Sequence, residues 1–78
     1  MSENWIYDQI RTSALSAQHG HFGVLSTGEK LAAALVLNRS DLLQEAGYTM
    51  AEAIHRVGEG WLQYIPEVAR ELKNEGLI

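Results

Sequence analysis

Segment 31–37 constrains the fold more than any other part of the sequence, because it is apolar on every side. Its seven residues, Leu-Ala-Ala-Ala-Leu-Val-Leu, form the longest apolar run in the chain. Alanine and leucine favour a helix, and a helix that is apolar all round must be buried all round. The run is far shorter than the roughly 20 residues that cross a membrane. We therefore expect this helix at the centre of a globular fold or in an interface.

Two capping boxes mark the starts of helices on either side of this run. Ser26 with Glu29, and Thr49 with Glu52, have the spacing in which side chain and backbone satisfy each other's hydrogen bonds. The first box opens the helix that contains segment 31–37, and the second opens a fourth helix.

Single residues indicate the limits of the other helices. Ser2 is expected to cap a first helix that ends before Gly20. Ser40 is expected to cap a short helix over 41–46, which Gly47 ends. Pro66 suits the first turn of a last helix over 67–74, because a first-turn residue needs no hydrogen-bonded N–H.

Apolar residues at steps of three and four predict that the fourth helix runs well beyond residue 57. Gly58 and Gly60 interrupt this stretch, and each costs about 1 kcal/mol in a helix interior relative to alanine. We expect either a kink there or close packing against the bare backbone. The predicted apolar face consists of Met50, Ala53, Ile54, Val57, Trp61 and Ile65.

These patterns predict an all-α fold, a compact bundle of four to five short helices that forms a single domain over 1–78. We expect more than half of the residues in helices. The chain has no cysteine, so disulfides and zinc–thiolate sites are excluded. A chain of 78 residues has little margin of stability, and self-association is one of the few remaining sources of additional stability.

The sequence offers little for catalysis or metal binding. Serines 26 and 40 are explained as helix caps, and no nucleophile-elbow pattern surrounds any serine. His19 and His21 could hold a metal together with His55 or a carboxylate, but the interpretation we favour is two solvent-facing loop histidines. We predict no catalytic residue, no metal and no cofactor.

Aromatic residues are the strongest indication of a binding surface. Trp5 and Tyr7 lie on the first predicted helix, and Trp61 and Tyr64 lie three residues apart on the fourth. Tryptophan and tyrosine are favoured anchors of protein interfaces, although a small core also uses them. We predict a non-catalytic accessory protein that binds another protein or a second copy of itself, as a two-fold homodimer.

A second hypothesis comes from residues 41–57. A helix containing Leu42 and Leu43, a turn beginning at Gly47 and a second helix resemble the helix-turn-helix of DNA-binding regulators. The resemblance implies that His55 and Arg56 contact DNA. The chain departs from the motif six positions after the glycine, where a bulky aliphatic is usual and Ala53 stands instead.

The charge of the chain argues against nucleic acid and anionic membranes as partners. Ten acidic residues against six basic ones give a net charge of −4, whereas phosphate groups attract basic surfaces. The first residues lack the basic and apolar regions of a signal peptide. We expect a soluble, cytoplasmic protein without a membrane partner.

Overall fold

The computed structural model describes residues 4–78, and 77 % of these are helical. The predicted cap at Ser2 lies outside the described residues. Five of the six α-helices within 4–78 have at least seven residues, and this part of the chain contains no strand. The predicted all-α fold is thus confirmed. The helices are α1 (Asn4–Gln18), α2 (Thr27–Leu37), α3 (Ser40–Ala46), α4 (Met50–Val57), α5 (Glu59–Leu62) and α6 (Ile65–Asn74), with a 3₁₀ turn at Phe22–Val24.

Helix α2 lies at the centre of the fold and packs against α1, α3, α4 and α6. Its two sides belong to two different core clusters. Leu31, Ala33 and Ala34 pack with residues of α1, the 3₁₀ turn, α3 and α4. Ala32 and Val36 pack with residues of α1 and α6. The small alanine side chains leave room for neighbours on both sides.

The expectation that segment 31–37 is buried all round is correct for five of its seven residues. Leu35 and Leu37 are only partly buried. Leu35 lines a cavity between α2, α3 and the start of α4. Leu37 lines a second one between the end of α2 and α6. Solvent reaches both side chains because these gaps stay open.

Both predicted capping boxes are present. Ser26 Oγ accepts a hydrogen bond from the Glu29 backbone N–H at 3.3 Å, and the Glu29 carboxylate accepts one from the Ser26 N–H at 2.9 Å. Thr49 and Glu52 form the same reciprocal pair, at 3.1 and 2.9 Å. Each box satisfies backbone donors that the first turn of a helix cannot satisfy itself.

The predicted cap at Ser40 is wrong. Ser40 is the first residue of α3, and the extended residue Arg39 precedes the helix without a side-chain capping bond. Helix α2 ends at Leu37, and the residue that follows, Asn38, adopts a left-handed conformation with φ 55°. Only Asn38 and Arg39 separate the two helices, so α3 begins one residue earlier than the sequence suggests.

The predicted fourth helix is two separate helices. Gly58 has φ 84° and ψ 161°, a backbone conformation that favours glycine, and it redirects the chain into the single turn of α5. The apolar residues on either side of Gly58 therefore do not share one continuous face. Of the six predicted to do so, only Ala53 and Ile65 are buried.

Two leucines of α2 provide a matched test of this packing. We expect Leu31→Ala to lower the free energy of unfolding by about 2–5 kcal/mol, because it leaves a cavity in the core. Leu35→Ala should cost roughly 1–2 kcal/mol less, because that side chain is only partly buried. Urea unfolding of both variants measures the difference, and equal losses would contradict the described packing.

Candidate functional site

An open groove of about 630 Å³ lies where the start of α1, the start of α2, the end of α4 and α5 come together. Its walls include both tryptophans of the chain, Trp5 from α1 and Trp61 from α5. We call it the tryptophan groove. The other lining residues are Gln9, Ser26, Thr27, Gly28, Glu29, Arg56 and Val57.

The two tryptophans differ in exposure. Trp5 is 58 % exposed, the second most exposed large apolar side chain after Val24 in the described part of the chain. Trp61 is partly buried and packs against the core cluster between α1, α2 and α6. One indole is therefore held by the core, while the other presents most of its surface to solvent. Such aromatic surface is typical of the anchors of protein interfaces.

Most polar groups that line the groove form hydrogen bonds within the chain. The Glu29 carboxylate closes the capping box of α2 and accepts a hydrogen bond from the Gln9 side-chain amide. The bond from the Ser26 backbone N–H is the main cause that lowers the pKa of Glu29. Arg56 is exposed and makes no ion pair within residues 4–78. It is the groove's available charged group.

An apolar edge of α4 continues from this groove. Met50, Ile54 and Val57 follow one another at steps of four and three, so they lie on one side of the helix. Met50 is 51 % and Ile54 is 43 % exposed, while Val57 is partly buried and lines the groove. We call these three residues the α4 edge. It joins the tryptophan groove through Val57.

The remaining predicted interface residues lie outside the groove. Tyr7 and Tyr64 are partly buried against the core cluster between α1, α2 and α6. The Tyr7 hydroxyl is inaccessible to solvent and has no hydrogen-bond partner of regular geometry. Burial, followed by the neighbouring Glu71 carboxylate, raises the pKa of Tyr7 to about 12. Arg11, one turn further along α1, pairs with Glu75, which directly follows α6, at 2.8 Å.

The residues of the DNA-binding hypothesis lie on α4. His55 and Arg56 are exposed and border a shallow depression with Tyr48 and Glu52. His19 and His21 are exposed between α1 and the 3₁₀ turn. Within the described part of the chain, no three His, Asp or Glu side chains converge as a metal site would require.

Sequence patterns missed the α4 edge as a surface and the participation of Arg56 and Val57 in the groove. The apolar spacing of α4 indicated a buried face, because periodicity identifies an apolar side without saying what covers it. Gly58 was the sequence signal that could have indicated this exposed edge. A break there leaves an eight-residue α4 in which only Ala53 is buried.

Comparison with protein-family models, curated proteins and solved structures finds no match to this chain. Among the described residues, no helix has both the length and the apolar character needed to span a membrane.

The burial of the Tyr7 hydroxyl has a consequence at alkaline pH. Since the pKa is about 12 in the folded chain and about 10 in the unfolded one, the unfolded state releases this proton first. Tyr7 should therefore lower stability as pH rises from about 10 towards 12. Ultraviolet titration should show a tyrosine step near pH 12 that Tyr7→Phe removes. A step that persists in this variant would belong to another tyrosine.

Proposed function

We propose that this chain is a non-catalytic protein-binding protein that self-associates as a homodimer through the tryptophan groove and the α4 edge. The observation that carries this proposal is the 58 % exposure of Trp5 in a groove shared with Trp61. An exposed apolar surface of this kind is typical of a protein interface. The exposed Met50 and Ile54 extend it along α4.

The proposed homodimer rests on this exposed apolar surface and not on a need to complete the core of the monomer. The chain has 4759 Å² of accessible surface, close to the roughly 4,700 Å² of a folded monomer of its mass. Four helices of the same chain already contact α2, so a second copy is not required to cover it. Of the two positions expected for this apolar helix, the centre of the fold is the one observed, and its burial does not require an interface.

A stable dimer sets a requirement that this surface has to meet. Specific interfaces bury about 1,200 Å² or more in total, or roughly 600 Å² from each copy. That is about one-eighth of the 4759 Å² of this chain. The tryptophan groove and the α4 edge together form a surface drawn from α1, α2, α4 and α5, and two-fold symmetry lets both copies use the same surface.

The surroundings of the serines favour binding over catalysis. Ser26 is engaged in the capping box. Ser13 is buried and donates its hydroxyl hydrogen bond to the Gln9 carbonyl at 2.8 Å. A serine nucleophile needs an adjacent base and an approach for substrate, and neither side chain has this arrangement.

Two charge insertions at exposed apolar sites test the homodimer. Wild-type protein should sediment as a dimer at 100 µM, and its melting temperature should rise with concentration. Ile54→Glu should give a monomer, because it places a charge within the interface. Val24→Glu is the matched control, since Val24 is 83 % exposed and lies outside both surfaces.

The sedimentation results also show how the proposal could fail. A wild-type monomer at 100 µM with a concentration-independent melt would contradict self-association. Equal loss of the dimer in Ile54→Glu and Val24→Glu would place the interface elsewhere or show a general effect of charge. Trp5→Ala tests the groove separately from the α4 edge, because Trp5 lines the groove and does not belong to the α4 edge.

DNA binding is the second candidate, and the arrangement of α3 and α4 is the observation in its favour. Three residues, 47–49, separate the two helices, and α4 exposes His55 and Arg56. Charge weighs against it. Arg39 pairs with Asp41 at 2.7 Å, and Glu45 and Glu52 add exposed carboxylates to the same two helices.

We expect no shift of duplex DNA in gels at micromolar protein and low salt, because this surface would repel phosphates. A complex that weakens steeply with salt, and further with Arg56→Ala, would favour the DNA-binding function instead. Arg70→Ala is the control, because it removes the same charge from α6, away from the helix-turn-helix.

A further inference from the structure

The basic residues of this chain differ in whether their charge has an interaction partner. Of the six Lys and Arg side chains, Arg11 and Arg39 form ion pairs, and the Lys30 ammonium lies 5.6 Å from the centre of the Phe22 ring. The remaining cations, Arg56, Arg70 and Lys73, have no ion pair within residues 4–78. Two of these three line the same groove.

That groove lies between the end of α2 and α6 and has a volume of about 440 Å³. We call it the α6 groove. Arg70 and Lys73 stand beside apolar walls, and no aspartate or glutamate side chain contributes to the lining. The other lining residues are Val36, Leu37, Asn38, Ala69 and Ile78.

The charges of α6 are separated between its two sides. The Glu71 carboxylate acts towards α1, where it raises the pKa of Tyr7. Glu75, directly after α6, pairs with Arg11 of α1. Arg70 and Lys73, three residues apart, lie towards the end of α2. In a chain of net charge −4, the α6 groove is thus a local exception that combines positive charge with apolar surface.

We propose that the α6 groove binds an acidic segment of a partner protein that carries an aliphatic anchor. The anchor would lie against Val36, Leu37 and Ala69, and carboxylates of the segment would pair with Arg70 and Lys73. Charge complementarity selects this occupant. A basic segment would be repelled by the two cations, and a purely apolar one would leave them unpaired. This site is separate from the tryptophan groove and does not depend on the homodimer.

The same cations have an internal effect that the experiment must separate from binding. Arg70 and Lys73 lie near the C-terminus of α2, which carries the negative end of the helix dipole and has no basic residue in its own last turn. Their removal could therefore lower stability without any ligand. Thermal unfolding of each variant measures this effect independently.

The test uses three short peptides and nuclear magnetic resonance of the full chain. The probe is acetyl-Glu-Glu-Leu-Leu-Glu-Glu-amide, and its controls replace every glutamate by glutamine or by lysine. We expect shifts of the amide signals of Leu37, Ala69 and Ile78 with the glutamate peptide. The glutamine peptide should bind at least about fivefold more weakly, and salt should weaken the glutamate complex.

Matched charge reversals locate the site. Lys73→Glu should weaken binding of the glutamate peptide at least about fivefold, whereas Lys30→Glu, with the same change of net charge, should alter it less than twofold. Repeating the titration with Ile54→Glu separates this proposal from the homodimer, because that variant leaves the α6 groove unchanged.

The proposal is overturned by any of three results. The first is the absence of shifts with the glutamate peptide at millimolar concentration. The second is equal binding of the glutamine peptide, and the third is equal weakening by Lys30→Glu and Lys73→Glu. If neither variant weakens binding, the third result applies, and a loss of thermal stability in Lys73→Glu would then assign Lys73 to the dipole of α2 alone.

Discussion

The burial of α2 on opposite sides is the constraint on which the rest of the structure depends. Its alanines let helices approach closely, so one side packs with α3 and α4 and the other with α6, while α1 contributes residues to both clusters. The capping box at Ser26 fixes where this helix begins, and Asn38 in a left-handed conformation fixes where it ends. An eleven-residue helix thereby organises two core clusters in a chain without disulfides.

The same arrangement explains why α4 exposes apolar surface. Of its eight residues, only Ala53 is buried, in the cluster that contains Ala33 and Ala34. A single small residue against small residues gives close contact but covers little area, so Met50 and Ile54 remain exposed on the adjoining side. Most of the central helix is buried by other parts of the chain, whereas most of the short outer helix α4 is not. The surface available for a partner is therefore peripheral.

Sequence reasoning succeeded where local interactions determine the structure. Both capping boxes depend on residues three positions apart, and the glycine stop at Gly47 depends on one left-handed residue. It was wrong to continue one helical face across Gly58, although a kink there was one of the two expectations, because the positive φ of this residue ends α4. It also predicted that each tryptophan shares a binding surface with a nearby tyrosine, Trp5 with Tyr7 and Trp61 with Tyr64. The groove that contains both tryptophans results from the packing of α1 beside α5, which no local pattern specifies.

The tryptophan groove and the α6 groove differ in local charge, although the net charge of the chain does not show this difference. The tryptophan groove contains one carboxylate, Glu29, and one cation, Arg56, so its charges balance and like-charged copies meet no added repulsion there. The α6 groove contains two cations and no acidic side chain. Since Glu71 and Glu75 act towards α1 on the other side of α6, they do not cancel those cations. A chain of net charge −4 therefore has one groove in which the charges balance and another that is locally positive.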